Sequence, residues 1–270
     1  MHLAFEWPDS LESPRAGQFF TMMPSVIETG AGMLLRRPLA FAGFEKRSLE
    51  VSESTQKNKS LAHTIYQIRG IGTKALATHS PGSSIDIIGP LGNAFPEPSP
   101  GEIAIIVGGG IGIGPMLFLA SMFSEHSFPF KLIVGFRNSS SIPLRSAAPR
   151  EFSPFLWNDL LKDALIATDD GSEGIKGTVI DALVRVESTL LGSNRWHIYS
   201  CGPNPMLAEI ARFASERGAA AHVSAEQYMA CGVGACQGCV IRAAAGGYYR
   251  VCADGPVFAA NTIDWTGNLA

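Results

Sequence analysis

The chain has 270 residues, 46% of them hydrophobic, which suffices for two or three domains with a substantial core and argues against disorder as the default. A net charge of −3 gives no basic footprint for nucleic acid or an anionic membrane surface. The apolar runs are broken by Gly or Pro before they reach a membrane span, and Met1-His2-Leu3-Ala4-Phe5-Glu6 lacks a basic region leading into an apolar stretch, so a cytoplasmic protein without signal peptide is expected.

The first hundred residues read as short strands: His2–Trp7, Gln18–Pro24, Arg36–Glu45, Ser48–Ser54, His63–Gly70 and Ser84–Gly89. Gly, Pro and Ser clusters separate them, and one short helix fits near Thr73–His79. Many short strands with turn signals predict a small antiparallel barrel. Within it, Arg36-Arg37-Pro38-Leu39-Ala40-Phe41 lies on a strand, and Gly70-Ile71-Gly72-Thr73 precedes the helix. A basic residue at a strand end and a Gly-Thr helix start together suit a diphosphate. Taken singly, Arg37 reads equally as a solvated charge, and Gly72-Thr73 as an ordinary turn and N-cap.

Pro96-Glu97-Pro98-Ser99-Pro100-Gly101 then reads as a linker, and beyond it the period changes. Glu102–Val107 is a continuous apolar run of the kind found in buried parallel strands. Further strands are predicted at Lys131–Phe136, Ala164–Thr168 and Trp196–Ser200. Helices are predicted at Pro115–Phe123, Thr178–Val186 and Pro205–Arg217, an alternation that gives an α/β domain with a parallel sheet. Gly108-Gly109-Gly110-Ile111-Gly112-Ile113-Gly114-Pro115 joins the first of these strands to its helix. Five glycines in seven positions let backbone approach a pyrophosphate, and Pro115 suits the first turn of a phosphate-binding helix. The loop fits G-x-G-x-x-G in no register, and Phe136-Arg137-Asn138 end the second strand where a ribose-binding Asp or Glu would stand, so NAD and NADP both remain open. Cys201-Gly202-Pro203 follows Trp196–Ser200 at the sheet edge that faces ligands; Cys201 reads there either as a small buried hydrophobe or as a neighbour of a nicotinamide.

A small third domain begins near Ser224 and holds four of the five cysteines. Cys231, Cys236 and Cys239 read C-x4-C-x2-C, and Cys252 follows after a twelve-residue gap, the plant-type spacing of a [2Fe–2S] cluster. Gly232, Gly234 and Gly238 let backbone N–H groups turn toward anionic sulfur. Structural zinc usually pairs two short knuckles, whereas here three ligands share one loop. A disulfide framework is disfavoured by the crowding of Cys231, Cys236 and Cys239 in one glycine loop.

Arg37-Pro38-Leu39-Ala40, Gly72-Thr73, Gly89-Pro90-Leu91-Gly92, Gly108–Pro115, Cys201-Gly202-Pro203 and the cysteine loop occur in an order that resembles the ferredoxin-NADP reductase superfamily. Thr168-Asp169-Asp170-Gly171-Ser172, Met229–Cys236 and Val251–Phe258 are similar to the iron–sulfur electron-transfer subunits of two-subunit, NAD-dependent dihydroorotate dehydrogenases within it. The resemblance implies a flavin barrel over residues 1–98, an NAD(H)-binding α/β domain over 99–222 and a cluster domain over 223–270. It implies FAD against Arg37, Pro38, Leu39, Ala40, Ile65, Tyr66 and Gln67, with its pyrophosphate at Gly72 and Thr73. NADH would dock over Gly110, Ile111, Gly112, Gly114 and Pro115, near Cys201, Gly202 and Pro203. Cys231 and Cys236 would bind one iron, Cys239 and Cys252 the other. The family often has Ser or Thr where Ala40 stands, which removes one side-chain hydrogen bond to the flavin. A hydride carries two electrons and a [2Fe–2S] cluster takes one, so a flavin belongs between them. The implied partner is an FMN-containing catalytic subunit that interconverts dihydroorotate and orotate, in a heterotetramer with two copies of each chain. Two alternatives are the flavin subunit of a ferredoxin:NADP reductase or sulfide dehydrogenase type complex, and a non-enzymatic redox sensor.

Overall fold

The computed structural model describes residues 1–24, 35–47, 59–142, 155–189 and 195–267. The predicted strand Ser48–Ser54 lies outside these residues. In the N-terminal third, β1 (His2–Trp7), β2 (Phe19–Met23), β3 (Arg37–Ala40), β4 (Gly43–Arg47), β5 (Lys59–Ile65) and β6 (Asp86–Leu91) form two antiparallel three-stranded sheets, β1-β5-β4 and β3-β2-β6. The single strand expected over Arg36–Glu45 is two strands, one in each sheet. The break falls at Phe41 and Ala42, both fully buried, whose amides donate to Gln18 O and His63 O respectively. The chain thus crosses from one sheet to the other while both backbone donors stay satisfied. Helix α1 (Ile71–Leu76) starts two residues before the expected Thr73, with Gly70 as N-cap.

The second domain is a seven-stranded sheet of order β10-β9-β8-β7-β11-β12-β15. Its parallel strands are β7 (Glu102–Gly109), β8 (Phe130–Phe136), β9 (Leu165–Thr168), β10 (Ile175–Lys176), β11 (Arg195–Cys201) and β12 (Ala220–Ser224). Among its helices, α2 (Ile113–Glu125) and α3 (Phe155–Lys162) contribute Leu117, Phe118, Phe123 and Trp157 to a core shared with Phe20, Phe41 and Tyr66 of the N-terminal third. Helices α4 (Val179–Thr189) and α5 (Asn204–Glu216) cover the other face with Val179, Leu183, Leu207, Ile210 and Phe213. This second core runs on into Cys239, Ile241, Val251, Cys252 and Phe258 of the C-terminal segment.

That segment has a small hairpin, β13 (Val240–Arg242) with β14 (Tyr248–Arg250), and the one-turn α6 (Val251–Asp254). Its last strand, β15 (Val257–Ala259), pairs antiparallel with β12 and forms the edge of the large sheet. Helices α3 and α6 and strands β10, β12, β13, β14 and β15 were not predicted from the sequence. All are short, and β12 (Ala-Ala-His-Val-Ser) lacks both a β-branched run and a clear alternation.

Candidate redox site

The cysteine loop is wound so that amides face sulfur. Val233 N (3.5 Å) and Cys236 N (3.4 Å) donate to Cys231 Sγ, Gly234 N (3.1 Å) to Cys252 Sγ, Gly238 N (3.4 Å) to Cys236 Sγ, and Cys252 N (3.4 Å) to Cys239 Sγ. Gly232 (φ 72°), Gly234 (φ 81°) and Gln237 (φ 55°) adopt the left-handed conformation that this winding requires, so the loop uses one residue with a side chain where glycine is favoured. The amides of Cys236 and Val233 bring the Cys231 thiol down to about 6. Burial and the adjacent Cys239 sulfur push the Cys252 thiol up to about 12. Cys239 Sγ lies 3.2 Å from Cys252 Sγ, well beyond the roughly 2.05 Å of a disulfide, and all five cysteines are free. The Cys239 thiol donates to Cys252 Sγ, and the pair could lose both protons only with a cation between them.

Among the described residues no three His, Cys, Asp or Glu side chains gather round one single-ion position. The thiols instead associate two by two, Cys231 with Cys236 and Cys239 with Cys252. Two pairs of thiolates with inward amides are the donor set that a two-iron cluster takes.

A cleft of about 300 Å³, within the size range of cofactor sites, lies between the two domains. One wall is Pro38, Leu39, Ala40, Ile65, Tyr66, Gln67 and Thr73. The facing wall is Ile111, Gly112, Pro115 and Cys201. The expected flavin side and nicotinamide side therefore share one space. The remaining expected residues stand around it. Arg37 opens β3 opposite Met22, Gly72 is buried in the first turn of α1, and Gly114 faces Ala42 and Ile65. Gly202 abuts Met206, and Pro203 is the N-cap of α5. Gly110 (φ 54°) has open space where a Cβ would project, whereas a Cβ on Gly112 would strike the Cys201 carbonyl. Thr73 Oγ1 accepts from Arg69 N (2.9 Å) and Gly70 N (3.2 Å), so its hydroxyl closes the turn before α1.

Several cleft residues were not predicted: Arg69, Ser224, Glu226 and Gln227, with Phe19 and Pro256. Ser224 to Gln227 enter because β12 ends beside Cys201, a pairing in register with Ser224 that no local signal announces. Cys201 is 2% exposed, and burial together with the Glu226 charge pushes its thiol far up, so it faces the cleft as a neutral thiol. Glu226 reaches solvent along the cleft, yet enclosure by its neighbours raises its carboxyl, opposed by Arg69.

The same architecture occurs in solved structures. An NADH-dependent reduced ferredoxin-NADP oxidoreductase, described in connection with flavin-based electron bifurcation, is similar over 98% of this chain and 85% of its own, with 25% identity and a TM-score of 0.73. The ferredoxin reductase of a carbazole 1,9a-dioxygenase is similar over 81% of this chain and 61% of its own, at 20% identity and a TM-score of 0.55. Fold and site together define an electron-transfer protein of the ferredoxin-reductase class with its own cysteine loop. Residues 106–212 match the oxidoreductase NAD-binding domain, and residues 226–264 match the iron–sulfur cluster binding domain of dihydroorotate dehydrogenase B. Dihydroorotate dehydrogenase B (NAD(+)) electron transfer subunits of Bacillus caldolyticus (34% identity, 93% of this chain, 88% of that one) and Fusobacterium nucleatum (33%, 92% and 86%) are similar along nearly their whole length. The chain belongs to this family of electron transfer subunits.

Proposed function

We propose that the chain carries electrons between NAD(H) and a dihydroorotate dehydrogenase catalytic subunit, through FAD in the cleft and a [2Fe–2S] cluster on Cys231, Cys236, Cys239 and Cys252, in de novo UMP synthesis. The observation that carries this reading is the cleft itself, in which Pro38–Ala40 and Ile65–Gln67 face Ile111–Gly112 and Cys201 while Gln227 and Met229 lead on to the cysteine loop. In this reading the two N-terminal sheets are walls of a flavin barrel within residues 1–98. Residues 99–222 bind the dinucleotide, and residues 223–270 hold the cluster while returning β15 to the large sheet. Pro38, Leu39, Ala40, Ile65, Tyr66 and Gln67 flank the flavin ring, and Arg37 with Gly72 and Thr73 serves its diphosphate. The glycine loop from Gly110 to Pro115, with Gly202 and Pro203, approaches the dinucleotide backbone closely, and Cys201 packs beside the nicotinamide. Bound flavin accepts electrons in pairs and gives them up singly.

The acceptor beyond the cluster is the FMN of the partner, in an assembly with two copies of each chain. Tyr228, 92% exposed, precedes the cysteine loop and Val233, 52% exposed, lies within it, and both form part of the docking face. A large fold likeness to a ferredoxin-NADP oxidoreductase supports a second reading, in which the partner is a ferredoxin-type redox protein. One purification separates the two. The chain is isolated anaerobically, its iron, acid-labile sulfide and heat-released flavin are measured, and NADH-linked orotate reduction is assayed with and without a dihydroorotate dehydrogenase catalytic subunit. Equal iron and sulfide, FAD, and orotate reduction only with the partner are expected. Zinc without sulfide, FMN as the sole flavin, or full activity of the chain alone would overturn the proposal.

A further inference from the structure

Asn93 lies outside the cleft and the cysteine loop, yet its amide side chain ties the loop after β6 to the cluster segment. Its Oδ1 accepts from Val257 N (2.9 Å), and its Nδ2 donates to Val257 O (2.8 Å) and to Asp254 O (3.4 Å). Its own backbone N donates to Gly255 O (2.8 Å). The side chain thereby imitates a strand: it satisfies both backbone groups of Val257 as a neighbouring peptide would. Gly92 (φ 72°) makes the close approach possible, because a Cβ there would run into Pro256 Cδ and the Gly255 carbonyl. The loop bearing Asn93 is fixed in turn to the flavin-side sheet, since Gln18 Nε2 donates to Gly92 O (3.0 Å) and Phe95 N to Ala16 O (2.9 Å).

The gripped segment, Asp254 to Val257, begins at the last residue of the α6 turn that carries Cys252. Beyond it, Ser224 of β12 pairs with Val257, and Ala225 N donates to Pro256 O (2.9 Å). The segment is therefore held between the flavin-side loop and the nucleotide-side sheet. A second contact bears on the other arm of the cysteine set, where Gly232 lies so close to Thr21 of β2 that a Cβ would meet the threonine methyl at 2.7 Å. Both arms of the cluster site thus rest on the flavin-side sheet, one through packing and one through Asn93.

We propose that Asn93 is a positioning residue for electron transfer, fixing the cluster-bearing segment against the flavin-side sheet and so setting the gap that an electron crosses between the two redox groups. This rests on the electron route proposed above. Electron transfer weakens steeply with separation, so a looser clamp slows that step while the chemistry at either end keeps its own rate. The nucleotide side of the cleft holds Ile111, Gly112 and Cys201, to which Asn93's side chain makes none of its hydrogen bonds, and of the gripped segment Pro256 alone lines the cleft.

The test uses the full chain with its iron and flavin loaded, as wild type, Asn93→Ala and Asn93→Asp. Asn93→Asp keeps an acceptor for Val257 N but turns a carboxylate oxygen toward two carbonyls. Hydrogen exchange at the Val257 and Ala225 amides reads the clamp, and stopped-flow mixing with NADH separates flavin bleaching from cluster reduction. Both variants are expected to keep iron, sulfide, the cluster's EPR line shape and the bleaching rate, to exchange Val257 N–H faster, and to reduce the cluster several-fold more slowly. Faster exchange with an unchanged cluster rate would overturn the proposal and leave Asn93 a structural residue. Equal slowing of both phases, or loss of iron, would overturn it in favour of general destabilisation. A wild-type protein that binds no flavin, or never reduces its cluster, would instead strike the underlying route.

Discussion

At the scale of single residues, the site separates thiols by what surrounds them. The four clustered cysteines receive five amide hydrogen bonds, whereas Cys201 is sealed at the end of β11 and stays protonated. Replacing Cys252 by Ser is expected to abolish the cluster, with iron and sulfide lost together, because its partner Cys239 would then face an oxygen ligand in the buried pair. Cys201→Ala leaves the iron content intact and lowers stability by only ~1 kcal/mol, typical of one small truncated side chain. It is expected to slow flavin bleaching by NADH; an unchanged rate in stopped flow would make Cys201 a packing residue. The four clustered cysteines were legible as a set because their spacing is short-range and chemically specific. Asn93 was not, because its partners lie 161 and 164 residues further along the chain and nothing beside it reveals them.

At the scale of elements, two turns at the carboxyl edge of the large sheet are built against each other. The turn after β7 presents Gly112 to the backbone of Cys201 and Gly202 after β11, and Met206 of α5 fills the space against Gly109 and Gly202. Gly112→Ala must push these turns apart, a form of overpacking that typically costs about 1–3 kcal/mol. The proposed nucleotide contacts are on the same turns, so KM for NADH is expected to rise roughly tenfold, equivalent to about 1.4 kcal/mol of binding. Steady-state kinetics with thermal melting measures both effects. The alternation of strands and helices made most of this sheet readable between Glu102 and Arg217, β7 most clearly because Ile103–Val107 is a continuous apolar run, while α3 and β10 escaped it. The antiparallel third was readable only in part. Residues 36–45 look like one strand locally, but the hydrogen bonds of Phe41 and Ala42 go to different sheets, a tertiary choice that propensity does not record.

At the scale of the whole molecule, buried polar groups make stability depend on acidity. His197 Nε2 meets His222 Nδ1 at 2.7 Å, and His197 Nδ1 meets Glu102 at 3.2 Å, in a file across β11, β12 and β7. Burial, then the neighbouring His197, lowers His222 to about 4, and burial lowers His197 as well. An unfolded histidine takes a proton near pH 6.5. Between that pH and about 4 the unfolded chain therefore binds more protons than the folded one, and stability falls as the solution is acidified. Urea unfolding of wild type and His222→Gln across this window should show a shallower slope in the variant; parallel slopes would refute the assignment. Assembly is tested separately: Val233→Asp should weaken binding of the catalytic subunit in calorimetry while NADH still bleaches the flavin at the wild-type rate. Finally, β15 closes the open side of β12, so the cluster segment is also the sheet's guard strand. Ending the chain after Ser224 would bare the ladder of a strand that carries the buried Val223, an invitation to strand addition between molecules. Such a fragment should be sticky and poorly soluble even with its nucleotide loops complete, and an exchange of cluster domains between relatives would have to carry a matching edge strand with it.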